Sequence, residues 1–289
     1  MRVARILLAV MSTWAVACSN SGDDDDSTGS SSSGGTGSSS SSGGSSGGTS
    51  SSGGASSSGS PDGGSGAVCT TPTAVLCEDQ VVAELNLKAT VNPDLVENTQ
   101  ADGGVFITHV DATAGGFNNP TPPSYVYAAF TDTGLIKRDL SDEAALLSMD
   151  WDIAFRRYVI RINSGYSGPS CVNAARMPDA TEFDTFTTVP ANAIWRTDAY
   201  FDASCVFISD GTGLTSSPAA ALASYYSYPG CVKMTGNVFV VRRADGRMVK
   251  LEVLNYYNDA AQNECQTTDA VTVMPTGSGN IRLQWAFLD

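Results

Sequence analysis

A single histidine, His109, limits the chemistry open to this chain of 289 residues. Any Ser–His or Cys–His catalytic pair would have to pass through it. It falls in phase with Val105 and Ile107 on an expected strand, where a satisfied, partly buried histidine is the ordinary outcome. No HExxH, GxSxG, phosphate-loop or dinucleotide-binding pattern occurs. The base and nucleophile sets of a hydrolase are missing, so the chain reads as a non-enzyme. Seven cysteines are the remaining reactive side chains. Cys18 stands apart near the N-terminus, which leaves Cys69, Cys77, Cys171, Cys205, Cys231 and Cys265, an even set suited to disulfides in an oxidising compartment. Cys69 with Cys77 is the local candidate pair, because it closes a short loop around Pro72; the other pairings stay open. A zinc site is disfavoured by the lack of any CxxC pair and by the single histidine. The Asp23–Asp26 run reads as solvated, and Asp210-Gly-Thr-Gly213 lacks the further nearby carboxylates that calcium would need.

Cys18 takes its meaning from what precedes it. Arg2 and Arg5 form a basic start, Ile6 to Met11 an apolar core, and Ala15-Val16-Ala17 a small-residue site just before the cysteine. Residues 1–17 thus read as a lipoprotein signal peptide and Cys18 as the lipidated residue, with an ordinary secretory signal as the alternative. Ser19 in the next position favours the outer membrane. Residues 18–66 are Ser/Gly-rich and bury too little apolar surface to order themselves. They read as a disordered tether with a root-mean-square reach of roughly 35–40 Å. The formal net charge is −14; removing Arg2 and Arg5 leaves 14 basic against 30 acidic residues, or −16. That balance excludes nucleic acid as a partner and gives no electrostatic hold on anionic lipid, so membrane attachment would fall to the lipid anchor.

Residues 67–289 must form the element framework. Val81, Ala83, Leu85, Leu87, Ala89 and Val91 alternate with polar residues and predict a half-buried strand. Val105–Val110 and Tyr125–Phe130 predict two more, and Thr131–Gly134 a turn into a short partner strand at Leu135–Arg138. Ser141 is placed to cap a brief helix through Leu147. Trp151, Ile153 and Phe155 share one parity and Tyr158, Ile160 and Ile162 the other, which predicts one central strand with a β-bulge near Arg156 and Arg157. A long loop then runs from Asn163 to about Met177. Cys205–Ile208 reads as a strand, Asp210–Pro218 as a loop, and the stretch after Pro218 as a short helix or a lid. Val238–Arg243 and Met248–Leu254 form a hairpin through Asp245-Gly246, suited to a type I′ turn. Ile281, Leu283, Trp285 and Phe287 alternate in a last strand. The sum is an all-β, mostly antiparallel domain with one or two short helices, stabilised by disulfides.

Three blocks also carry a likeness. WDIAFRRYVIRINSGYSG at Trp151–Gly168, TTVP at Thr187–Pro190 and NVFVVRRADGRMVKLEVLNYYN at Asn237–Asn258 resemble, in order, the HmuY family of bacterial surface haem-binding lipoproteins. The likeness runs from about Tyr125 to the C-terminus, with poor matching between about Asn192 and Ser224. It implies the same all-β fold and haem held between two axial ligands on loops near the second half of the sheet. Counting back from NVFVV puts Tyr228, in SYYSYPG, at or beside one ligand position. Tyrosine does ligate haem iron; the alternative is that Tyr225, Tyr226 and Tyr228 are amphipathic loop residues. The other position falls around Ser204–Thr215, which holds no His, Met or Tyr. Met177 and Met234 are the available substitutes, with core filling as their ordinary role. Arg157 or Arg161 would pair with the haem propionates if either reached the cleft. The resemblance thus implies a surface haemophore-like lipoprotein at the outer membrane that captures haem in a loop-lined cleft and passes it to an outer-membrane haem transporter. The alternative is the same fold without haem ligation, binding another ligand or partner.

Overall fold

The computed structural model describes residues 68–116, 119, 121–214 and 216–288. The expected signal peptide 1–17, the lipidation candidate Cys18 and the tether 18–66 lie outside the described residues. The elements, in chain order, are α1 (Glu78–Glu84), β1 (Val96–Gln100), β2 (Phe106–Asp111), β3 (Val126–Thr131), β4 (Gly134–Arg138) and α2 (Asp142–Ala145). There follow β5 (Ile153–Arg156), β6 (Val159–Ile162), β7 (Asn173–Arg176), β8 (Tyr226–Ser227) and β9 (Lys233–Met234). The chain closes with β10 (Val238–Arg242), β11 (Met248–Asn255), α3 (Asp259–Thr268) and β12 (Asn280–Leu288).

These strands make a six-stranded sheet in the order β1-β2-β12-β11-β10-β7 and a four-stranded sheet in the order β4-β3-β5-β6, with β8 and β9 as a separate ribbon. Every strand pair is antiparallel. The fold is therefore the mostly antiparallel all-β arrangement that the spacing predicts. The two larger sheets share one core, because alternating residues of β2, β10, β11 and β12 meet those of β3, β5 and β6. At its centre Trp285 stacks on Phe106, ring centroids 4.5 Å apart, and meets Phe130 edge-on at 4.9 Å. Its indole N–H donates to Thr108 Oγ1 at 2.9 Å, and Thr108 donates to Asn98 Oδ1 at 2.7 Å. Asn98 then joins the sheets: its amide donates to Leu135 O at 3.0 Å and accepts from Leu135 N at 2.9 Å, as a neighbouring strand would.

Both outer faces are covered as well. Val81 and Leu85 of α1 pack with Tyr125, Tyr127, Trp151 and Tyr200 on the outside of the four-stranded sheet. Met177, Phe183 and Trp195 pack with Val238, Val240 and Ala286 on the outside of the six-stranded one. Burial on both faces explains why β3 and β10 read as nearly unbroken apolar runs.

Several expectations are corrected. The expected strand from Val81 to Val91 is absent: its first residues belong to the helix α1, which ends at Glu84, and the rest forms no strand, with Val91 making only an isolated bridge to Ser141. Val81 and Leu85 lie four residues apart, a spacing that fits one helix face as well as one strand face, and the covering role over Tyr125 and Tyr127 selects the helix. The central strand with a bulge is instead a two-residue hairpin, since Arg156 pairs with Val159 and Arg157 turns at φ 51°. A tight turn flips side-chain parity just as a bulge does. The long loop after Asn163 contains β7. Cys205–Ile208 forms no ladder, only isolated bridges such as Phe201 with Phe207. Asp245-Gly246 lies in a three-residue loop, with Gly246 N donating to Arg243 O and Arg243 N to Arg247 O, so a type I turn with glycine at φ 84° replaces the type I′ turn. Helix α3 was not expected, and the stretch after Pro218 holds only a 3₁₀ turn at Ala223–Tyr225.

The disulfides are Cys69–Cys171, Cys77–Cys205 and Cys231–Cys265, which overturns the local Cys69–Cys77 pair. Cys69 is drawn away because the chain there runs extended along two other segments, with Cys69 N donating to Ala244 O at 3.0 Å and Thr73 N to Pro169 O at 2.8 Å. Cys77 stands at the start of α1, across from the 202–206 turn.

Candidate functional site

Beside the β7 edge of the six-stranded sheet lie two adjoining cavities, of about 500 Å³ and about 420 Å³. Arg196, Ala221 and Ser224 line both, so they form one cleft with two lobes and a common wall. The first lobe lies between the strip Trp195–Ala199, the Asp210–Thr212 loop and the stretch Ala219–Tyr226. The second lies between Arg176–Pro178 and Pro190–Ile194. The strip is held to β7 by a mutual pair of bonds, Ala174 N to Arg196 O at 2.9 Å and Arg196 N to Ala174 O at 2.8 Å.

Alternation along that strip sets what faces the cleft. Thr197 and Ala199 line it, while Asp198 between them points inward and is fully buried. Asp198 Oδ1 accepts from Ala221 N at 2.8 Å, Oδ2 accepts from Ile162 N at 2.9 Å, and Ser167 Oγ donates to Oδ2. One carboxylate thus ties the strip to the opposite wall and to β6. Burial pushes the Asp198 carboxyl up to about 6, against the pull of its hydrogen bonds from Ser167, Ala221 and Ile162. Ser167 also bonds Tyr200 OH at 2.7 Å and accepts from Arg161 Nε at 3.1 Å.

Arg161 is wholly inside this network. It donates further to Ser167 O at 2.8 Å and Tyr127 OH at 3.2 Å, and lies over the Tyr125 ring at 4.6 Å. Arg157 donates to Gly116 O at 2.7 Å from the β5–β6 turn. Neither arginine lines the cleft, which corrects the expectation that one of them would meet a ligand's propionates there.

The three ligand candidates fall in different places. Met177 follows β7, lines the second lobe, and is 1 % exposed among Phe183, Val238 and Ala286. Met234 lies on β9 in the main core, with its backbone bracketed by Gln266 at 2.7 and 3.1 Å. Tyr228 is 36 % exposed, lines neither lobe, and donates its backbone N–H to Thr212 O at 3.1 Å. The tyrosine in the cleft wall is Tyr226. Its hydroxyl donates to Asp210 Oδ2 at 3.2 Å, accepts from Thr212 Oγ1 at 2.9 Å and bonds Ser217 Oγ at 2.9 Å. Burial raises its phenol further from ionisation. Those bonds commit Tyr226 to holding the 210–217 loop against the wall.

His109 stands apart on β2, its Nε2 3.2 Å from Asn280 Oδ1 and its Nδ1 3.8 Å from Glu97 Oε2. Among the described residues no group of three or more His, Cys, Asp or Glu is arranged to hold a metal ion. The residues that sequence reasoning passed over are Trp195, Arg196 and Asp198. A signal for one of them existed: Arg196 is the only Lys or Arg between Arg176 and Lys233.

The family profile described as HmuY protein matches residues 123–268. No curated protein matches the chain. Among solved structures it is similar to a lipoprotein, so described, from Bacteroides fragilis, at 15 % identity over 65 % of this chain and 94 % of that one, with a TM-score of 0.42. A HmuY-like haem-binding protein, so described, from Bacteroides vulgatus gives 14 % identity over 66 % and 96 %, with a TM-score of 0.42. An apo HmuY analogue from Tannerella forsythia gives 16 % over 69 % and 98 %, with a TM-score of 0.33.

Proposed function

Since this chain belongs to the HmuY family, we propose that it captures haem in the two-lobed cleft, as a lipid-anchored surface protein that hands haem to an outer-membrane transporter. The observation that carries this reading is the cleft itself, with lobes of about 500 and 420 Å³, Met177 in one wall and Arg196 between them. Those volumes suit a ligand of porphyrin size. The thioether of Met177 is a known type of axial donor to haem iron, and Met177 lines the second lobe. Tyr228 and Met234 rank behind it because neither lines a lobe; Met177, 1 % exposed, and Met234 would both have to turn out of the core to meet a ligand. The protein's task is burial and orientation; Ala221, Ala223 and Ile194 supply apolar wall, and Asp198 keeps the walls in place.

The anchoring reading places lipid on Cys18 and a tether over residues 18–66 at the outer membrane. Among the described residues no helix is long and apolar enough to cross a membrane. The chain enters the fold beside Ala244, at the β10–β11 turn, while Met177 pairs with Val238 at the other end of β10.

A second reading is favoured by one observation: the three ligand candidates, Met177, Met234 and Tyr228, do not converge on the cleft, whose own Tyr226 hydroxyl is already committed. On this reading the fold has lost haem ligation and takes a different ligand. Titrating haem into the oxidatively folded protein separates the two. A saturable, shifted Soret band at one equivalent, altered in Met177→Ala and unaltered in Tyr228→Ala, is the expected result. No saturable band in either the ferric or the ferrous state would sink the haem reading and leave the second.

A further inference from the structure

Sixteen Lys and Arg occur in the sequence, and setting aside Arg2 and Arg5 leaves fourteen among the described residues. All but one of these fourteen face a carboxylate, donate to an oxygen, or lie over an aromatic ring. The exception is Arg196, whose exposed side chain has no such partner among the described residues. Its backbone is nonetheless fixed by the double bond to Ala174, and its neighbour Trp195 is held under Arg242, whose guanidinium lies 3.7 Å from the ring centroid. The free guanidinium therefore stands on a rigid strip, in the wall common to both lobes. Three carboxylates are near the lobes, and all are engaged: Asp198 with Ala221, Ile162 and Ser167, Asp210 with Thr212, Ser217 and Tyr226, and Asp179 with Arg176 at 3.2 Å. In a chain of formal net charge −14, an anion is repelled almost everywhere else.

We propose that Arg196 is an anion anchor, and that the cleft selects apolar organic acids whose acid group pairs with this guanidinium while the apolar body lies in the lobes. The planar fork of arginine pairs with both oxygens of a carboxylate, which lysine cannot do. The proposal shares the cleft with the haem reading and adds to it a requirement for an acid group, independent of iron.

The test uses two probes of similar apolar body on the whole folded protein: the anion 8-anilinonaphthalene-1-sulfonate and the uncharged N-phenyl-1-naphthylamine. Arg196→Gln should weaken binding of the sulfonate about tenfold and leave the neutral probe unchanged, and Arg196→Lys should recover part of the loss. The proposal is overturned if Arg196→Gln weakens both probes alike, if it changes sulfonate binding by less than about twofold, or if the unaltered protein shows no saturable sulfonate site. Haem titration of the same variants separates the two ideas. Sulfonate binding that depends on Arg196 without haem binding ends the haem reading alone, and haem binding with an indifferent Arg196 ends the anchor alone.

Discussion

At the scale of single residues, Asp198 does more for the cleft than any side chain that faces it. It is fully buried, yet it receives hydrogen bonds from the strip's opposite wall, from β6 and from Ser167. Its carboxyl is raised from the ordinary 3.8 to about 6 because desolvation outweighs those bonds. The folded chain thus holds this proton more tightly than the unfolded chain does. The favourable contribution to stability is full below pH 3.8 and is lost as pH rises through about 6. A shift of that size corresponds to about 3 kcal/mol. The expected outcome is one aspartate carboxyl that titrates near 6 by carbon-13 resonance, moving higher in Ser167→Ala because a bond to the ionised form is removed. If every aspartate titrated in the ordinary carboxylate range, this account of the network would fail.

At the scale of elements, the helices show how local signals and distant contacts combine. Ser141 caps α2 through a bond from Ala144 N at 3.1 Å, as its position predicts. Asn258 does the same for α3, accepting from Ala261 N at 2.9 Å, and Ala261 and Cys265 present one buried face four residues apart. Those signals were present in the sequence, but a ten-residue helix with mostly polar residues gives a weak apolar period. Asn258→Ala should destabilise the protein by about 1 kcal/mol, read as a lower midpoint in urea with an unchanged slope. An unchanged midpoint would mean that the Cys231–Cys265 bond and the Gln262 and Gln266 side chains hold the helix without help from the cap.

At the scale of the whole molecule, the disulfides bind distant stretches together. Cys69–Cys171 and Cys77–Cys205 span 102 and 128 residues, whereas Cys231–Cys265 spans 34. Through loop entropy a single link across 34 residues stabilises by about 4 kcal/mol. Because Cys69–Cys171 interlocks with Cys77–Cys205, the loop that the latter closes in the otherwise intact chain runs only through residues 69–77 and 171–205, so replacing Cys77 and Cys205 together by Ser should lower the unfolding free energy by about as much as replacing Cys231 and Cys265, about 4 kcal/mol. Equilibrium denaturation of the two double variants checks this; a difference of more than about 2 kcal/mol between them would show that native contacts outweigh chain entropy.

Sequence alone determined the features whose cause is local. Apolar runs joined by a turn are decisive where the partner strand follows directly, as in β3–β4 and β10–β11, and alternation where the run is long, as in β12. The same holds for the Ser141 cap and for an even set of six cysteines. Tertiary structure alone decided what depends on remote partners. The stretch from Val81 to Leu85 satisfies helix and strand spacing alike, and only the sheet it covers chooses between them. Parity at Arg156 and Arg157 flips equally for a bulge or a turn, and only the pairing of β5 with β6 separates these. Cys69 and Cys77 are close in sequence, but each is drawn to a segment more than a hundred residues away. Of the ligand candidates, only Met177 reaches the cleft, while Arg161 is enclosed by Ser167, Tyr127 and Tyr125. A cleft of this kind is a space between segments brought together by folding, so the chain order of its walls does not reveal it.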